Sequence, residues 1–199
     1  MLACFTTAPE NPRPLHVVRE SAAERWLETA PERWRAWLDG INYKPRPAAG
    51  ALLPAADGTP EAALLVVGEP ASPYDVAAAY GRLPDGDWTI ESPDLDLGVA
   101  ALGWALAAYR FDRYRKLEPV RRRLVVEDGQ VLARANTIAH SVFLARDLIN
   151  TPANDLGPEE LAAAVHEVGE THGAEVASLA GDELLEHGYP AVHAVGRAS

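Results

Sequence analysis

Charge changes sign abruptly along this chain. Seven basic residues (Arg110, Arg113, Arg115, Lys116, Arg121, Arg122, Arg123) fall between positions 110 and 123 against two acids, whereas Asp147 to Gly196 holds ten acids and no Lys or Arg. Such a break divides the chain into two structural units, one ending near the basic stretch and another starting near residue 150. The apolar content of 48% with 24% charged residues is that of a folded protein and excludes a disordered one. The net charge of −11 argues against general nucleic-acid binding, which needs Lys and Arg for phosphate contacts. Cys4 is the only cysteine, so neither a disulfide framework nor a cysteine zinc site is available. The longest apolar run, Leu97 to Tyr109, falls short of the roughly 20 residues that span a bilayer. Met1 to Phe5 has neither the basic flank nor the apolar stretch of a signal peptide, so a reducing, cytoplasmic setting is expected.

The first unit alternates strand and helix patterns. Leu15–Val18 reads as a short strand. Ser21 is placed to cap a helical run carrying Trp26, Trp34 and Trp37, with Pro31 starting a second turn set and Gly40 ending it. Ala51–Leu53 and Ala63–Val67 are continuous apolar runs bounded by Gly and Pro, the pattern of strands buried on both faces. Pro73–Tyr80 predicts a short helix and Trp88–Ile90 a strand, and Asp94 or Asp96 is placed to cap a helix over Leu97–Tyr109. This alternation predicts a layered α/β domain. Val131, Ala135, Ile138, Val142, Ala145 and Ile149 recur at steps of 4, 3, 4, 3 and 4, one face of a long helix over 131–151.

In the second unit Pro158 sits at a first helical position with Glu159 and Glu160 in the first turn. Leu161, Val165 and Val168 then form a predicted buried face, and Gly173 a stop. Ala174–Leu179 and Ala191–Val195 read as strands flanking a short helix opened by Asp182 and closed by Gly188, a crossover unit of a mostly parallel sheet.

Chemistry-bearing motifs are few. There is no phosphate loop, dinucleotide glycine fingerprint or nucleophile elbow. His166-Glu167-Val168-Gly169-Glu170 resembles a zincin helix with its second histidine replaced, so His166 and Glu170 share a face as a two-ligand candidate; the solvated acidic face of an amphipathic helix is the preferred reading of the string. Asp94-Leu95-Asp96-Leu97-Gly98 begins like a calcium loop without the closing Glu, which favours helix capping. His140 falls on the polar side of the long helix, and His193 within an apolar run reads as a partly buried core histidine. The basic stretch, interleaved with Tyr109, Phe111 and Tyr114, has the composition of a nucleic-acid surface, against which stands a solvated hinge or a surface meeting the acidic unit or another subunit.

The segment Ala145-Arg146-Asp147-Leu148-Ile149-Asn150-Thr151-Pro152-Ala153-Asn154, followed by Leu156-Gly157-Pro158-Glu159-Glu160-Leu161, resembles the domain junction of the M17 leucyl aminopeptidase family. The similarity continues through Gly173–Val176, Gly181–Leu185 and Tyr189–Ser199, and upstream Trp104–Tyr114 is similar to the end of the N-terminal domain in one bacterial branch. The resemblance implies a macro-domain-like α/β domain over residues 1–115, a linker and connecting helix over 116–151, and the truncated start of a peptidase domain over 152–199. It further implies peptide substrates, a homo-oligomer (commonly a hexamer), and two divalent ions, manganese or zinc, that polarise the scissile carbonyl and activate a water in the complete enzyme. The family's ligands and catalytic Lys and Arg lie in glycine-rich strings beyond Ser199, and Lys44 and Lys116 stand in no such context. No catalytic, cofactor or metal residue of the family therefore carries over to a position here, and the chain is expected to be inactive alone. The alternative is a stand-alone macro-like module binding a nucleotide or ADP-ribose, against which stands the missing glycine-rich cradle.

Overall fold

The computed structural model describes residues 1–197. Six strands, β1 (Phe5–Thr6), β2 (Arg13–Arg19), β3 (Gly50–Pro54), β4 (Pro60–Val67), β5 (Gly86–Glu91) and β6 (Arg122–Val125), form one sheet in the order β1-β6-β5-β2-β4-β3. Only β3 runs antiparallel to its neighbour. The helices are α1 (Glu20–Thr29), α2 (Glu32–Gly40), α3 (Pro73–Tyr80), α4 (Leu97–Ala108), α5 (Gly129–Asn150), α6 (Pro158–His172), α7 (Glu183–Glu186) and α8 (Pro190–Gly196). The whole sheet lies in one compact unit, Met1–Arg146, and a second unit begins at Asp147.

Period-two alternation sorts the sheet residues into two cores. Leu15, Val17, Ala63, Leu65, Val67, Trp88 and Leu124 pack with α3, α4 and the first half of α5 through Val76, Tyr80, Trp104 and Ala135. Val18, Leu64 and Val66 face the other way and pack with α1 and α2 through Ala23, Trp34 and Leu38. The predicted layered α/β class is therefore observed, with helices on both faces of the sheet. β4 is buried almost throughout, as its continuous apolar run implies, but β3 is a half-buried edge strand, correcting the expectation of burial on both faces.

Local signals set most boundaries. The Ser72 hydroxyl accepts from the Asp75 amide while the Asp75 carboxylate accepts from the Ser72 amide, a capping box with Pro73 in the first turn. Asp96 caps α4 through Oδ1 to the amides of Gly98 and Val99. The Ser21 cap does not form: α1 begins at Glu20, and the Ser21 amide and hydroxyl donate instead to the Glu69 carboxylate. Two strands escape the sequence pattern. β1 is too short to show a period, and β6 opens with Arg122 and Arg123, so part of the expected hinge is sheet.

Beyond Asp147 the structure departs further from expectation. Ala174–Leu179 forms no strand, and Ala191–Val195 lies in α8 with Pro190 at its first position, so the crossover unit is absent. The described residues here offer no strand to pair with, and a helix satisfies its own backbone groups where a lone strand cannot. Ala198 and Ser199 lie outside the described residues. Leu161, Val165 and Val168, expected as a buried face, are exposed, as are Ala145 and Ile149 of the long helix. Among the described residues, neither hydrophobic cluster includes one beyond Phe143. The stop at Gly173 does form, in the left-handed conformation that glycine adopts without a Cβ penalty.

At Gly103 of α4, an added Cβ would sit 2.1 Å from the Pro73 carbonyl oxygen. Gly→Ala inside a helix normally stabilises by about 1 kcal/mol. Here the sign reverses, because the obstacle is backbone at the start of α3: Gly103→Ala is expected to lower stability by about 1–3 kcal/mol in urea unfolding.

Candidate functional site

In an open parallel sheet, ligands bind beyond the carboxyl ends of the strands, where the chain switches direction. Here that point is β2, with β4 on one side and β5 on the other. A cleft of about 680 Å³ opens there. Its floor is the end of β2 from His16 to Arg19, one wall is Ala22, Arg25, Trp26 and Thr29 of α1, and the other runs from Ile90 to Asp94. The α1 residues recur at helical spacing, so a single face of the helix lines the opening.

His16 anchors the floor. Its ring lies 5.4 Å from Trp26 and 5.5 Å from Trp34, and the two indoles stack on each other at 6.3 Å with planes 12° apart. Nε2 of His16 is buried without a hydrogen-bond partner. Burial lowers the imidazole pKa below its ordinary 6.5, against the opposing influence of Glu91, so the ring is neutral at pH 7. Arg19 donates to the Asp94 carbonyl oxygen at 3.1 Å, holding that wall against the end of β2.

The positions at helix starts that usually take phosphate are filled by the chain's own carboxylates. Glu69 accepts from the first turn of α1, Asp75 from the amides of Gly68 and Ser72, and Asp96 from α4. This geometry gives no support to the nucleotide-binding alternative.

A second polar cluster lies at the opposite end of β5. Asp87 is 3% exposed; it receives Arg123 at 2.6 and 2.9 Å and the Glu10 amide at 2.6 Å. Burial acts to raise the Asp87 pKa, but the Arg123 and Glu10 hydrogen bonds outweigh it and hold the carboxyl below its usual range. These bonds tie β5 to β6 and to the loop before β2, so the cluster is a staple. Part of the basic stretch is consumed in this way: Arg122 pairs with Asp85 at 3.5 Å and donates to the Tyr80 carbonyl at 2.9 Å, and Arg110 donates to the Glu118 carbonyl.

The metal candidates do not converge. The His166 Nε2 lies 3.3 Å from the Ser178 hydroxyl, and among the described residues no three His, Cys, Asp or Glu side chains gather into a cation site. A two-ion centre does not fit these residues. His193 sits on α8, 3.2 Å from Asp182, instead of inside a strand, and His140 is exposed on α5. Sequence reasoning missed the His16–Trp26–Trp34 cluster; the three aromatic residues were visible, but their convergence depends on α1 and α2 folding back over β2.

The family model described as the M17 aminopeptidase N-terminal domain matches residues 13–127, and that of the cytosol aminopeptidase catalytic domain matches 143–199. The chain belongs to the M17 aminopeptidase family. A probable cytosol aminopeptidase of Rhodococcus jostii is 34% identical over 171 residues, covering 74% of this chain and 34% of that protein; one of Rhodococcus opacus is 38% identical over 120 residues, covering 53% and 24%. The cytosol aminopeptidase structure from Coxiella burnetii superposes with a TM-score of 0.81 at 27% identity, covering 92% of this chain and 41% of that one. The bottromycin maturation enzyme BotP, solved with Mn, shares the fold with a TM-score of 0.66 at 22% identity, covering 87% and 39%. This M17 chain thus spans about a third or less of the curated relatives' lengths.

Two outcomes follow from the polar groups of this M17 unit. Asp87→Asn removes the charged acceptor of Arg123 and Glu10 and is expected to cost about 1–3 kcal/mol by urea unfolding. His16 takes up its proton less readily folded than unfolded, so its stabilising contribution is complete above pH 6.5 and declines as pH falls below it. The melting temperature should drop between pH 7 and 5, and His16→Gln should flatten that slope.

Proposed function

We propose that this chain is part of a metal-dependent aminopeptidase that removes N-terminal residues from peptides, and that its own contribution is assembly and access while the chemistry resides in further catalytic-domain sequence. The observation that carries this reading is the order of the two family matches, N-terminal domain first and catalytic domain second. The complete enzyme would use manganese or zinc in a cytoplasmic homo-oligomer, a hexamer by family resemblance. Support for an unfinished catalytic domain comes from the side chains beyond Asp147. Ile149 is 81% exposed and Val195 74%, with Leu161, Val165, Leu185 and Val192 also exposed, more apolar surface than a small self-contained unit normally leaves open. In this reading the rest of an M17 catalytic domain packs against these residues.

Hydrolysis of leucine p-nitroanilide tests it, with and without added manganese or zinc. The 199-residue chain is expected to give no turnover, whereas a hybrid continued through the catalytic domain of the Rhodococcus jostii relative is expected to give metal-dependent turnover. Metal-dependent turnover by the 199-residue chain itself would overturn the assignment of the chemistry elsewhere.

A further inference from the structure

The cleft at the end of β2 carries both signs of charge around an aromatic surface. Arg19 and Arg25 supply two cations, Glu91 and Asp94 two carboxylates, and Trp26 an indole face beside Val18 and Ile90. Among the described residues the side chains of Arg25 and Asp94 make no hydrogen bond or ion pair, and Glu91 interacts only electrostatically, with the His16 imidazole. Of these four charged side chains only Arg19 makes a hydrogen bond within the described residues, to the Asp94 carbonyl oxygen, in contrast to Asp87 and Arg123 at the opposite end of β5, which are paired with each other.

The chemistry of the lining selects among ligand classes. A phosphate or other simple anion would gain from Arg19 and Arg25 but would meet Glu91 and Asp94 in the same cavity. A simple cation would meet the converse. A ligand that carries both an ammonium and a carboxylate, with an apolar side chain to set against Trp26, satisfies all of these groups together. The volume is within the range of small-molecule sites, which runs from about 300 to 1,000 Å³. We propose that this cleft binds a zwitterion, a free amino acid or a short unblocked peptide, with its carboxylate toward Arg19 and Arg25 and its ammonium toward Glu91 and Asp94. The site is built entirely within residues 16–94 and contains none of the peptidase chemistry, so its occupancy is separable from turnover.

Intrinsic fluorescence and isothermal titration calorimetry on the 199-residue chain test the proposal, with L-leucine, leucyl-glycyl-glycine, N-acetyl-L-leucine and L-leucinamide as probes. Saturable binding of leucine or of the tripeptide is expected, with the acetylated and amidated probes at least tenfold weaker because each lacks one charge. A tighter complex with leucine identifies a free amino acid as the ligand, and a tighter one with the tripeptide identifies a peptide; both support the site. Arg25→Ala and Glu91→Gln, both at exposed positions and checked for folding by circular dichroism, should each weaken binding at least tenfold. Trp26→Phe should abolish most of the fluorescence change. Absence of binding by either zwitterion, equal affinity for N-acetyl-L-leucine or L-leucinamide, or unchanged affinity in the folded Arg25 and Glu91 variants would overturn it. Because no step is catalysed, failure here leaves the aminopeptidase reading untouched, and loss of that reading leaves this one.

Discussion

Strand β2 is hydrogen-bonded along both edges and packed on both faces, and the placement of everything else in the first unit depends on it. Leu15 to Arg19 pair in register with Ala63 to Val67 of β4, and Arg13 to His16 with Trp88 to Glu91 of β5. A slip of one residue would turn Leu15 and Val17 away from Trp88 and Trp104 and would put His16 in their place. The same register sets His16 beside Glu91 at the carboxyl end, which is where the cleft forms. α1 and α2 cover β2 and β4 on their side of the sheet, while the clusters on that side include no residue of β5. The cleft is the step between the covered and the uncovered strand.

Charge is handled differently at the two ends of β5. At the amino end, burial of Asp87 is offset by two hydrogen bonds from Arg123 and one from the Glu10 amide, and the loop before β2 is fixed as a result. At the carboxyl end, Glu91 and Asp94 remain in solvent. A fold can leave charges unpaired where water solvates them but not inside, so the paired set reads as architecture and the unpaired set as surface open to a ligand. Beyond Asp147 the acidic character persists without an apolar interior: Thr151 and Gly169 are the buried positions among the described residues, and the large aliphatic side chains face outward.

Much of the first unit was legible because its signals are local. Pro73 and Tyr80 bound α3 in sequence and in structure, and the uninterrupted apolar run of β4 announced a buried strand. What failed depended on partners. β1 and β6 are strands because each lies beside the other and β6 beside β5, not because Phe5–Thr6 or Arg122–Val125 show a period. Ala191–Val195 has the apolar content of a strand, but with no neighbouring strand among the described residues, Pro190 and internal hydrogen bonding favour a helix. The family was readable from the Asn150–Asn154 string and its flanks, whereas the cleft was not, since its residues come from positions 16, 25, 26 and 91 and only the β2–β5 register and the return of α1 unite them.

Residues 1–146 form a self-supporting domain held by β2, while the described residues after Asp147 form no core of their own. Amide hydrogen exchange followed by mass spectrometry tests this most directly. The amides of β2, β4 and β5 should exchange together, at the slow rate of global unfolding, while those of α6 to α8 exchange orders of magnitude faster. Equal protection of α6 and β2, or exchange of β5 well ahead of β2 and β4, would contradict it.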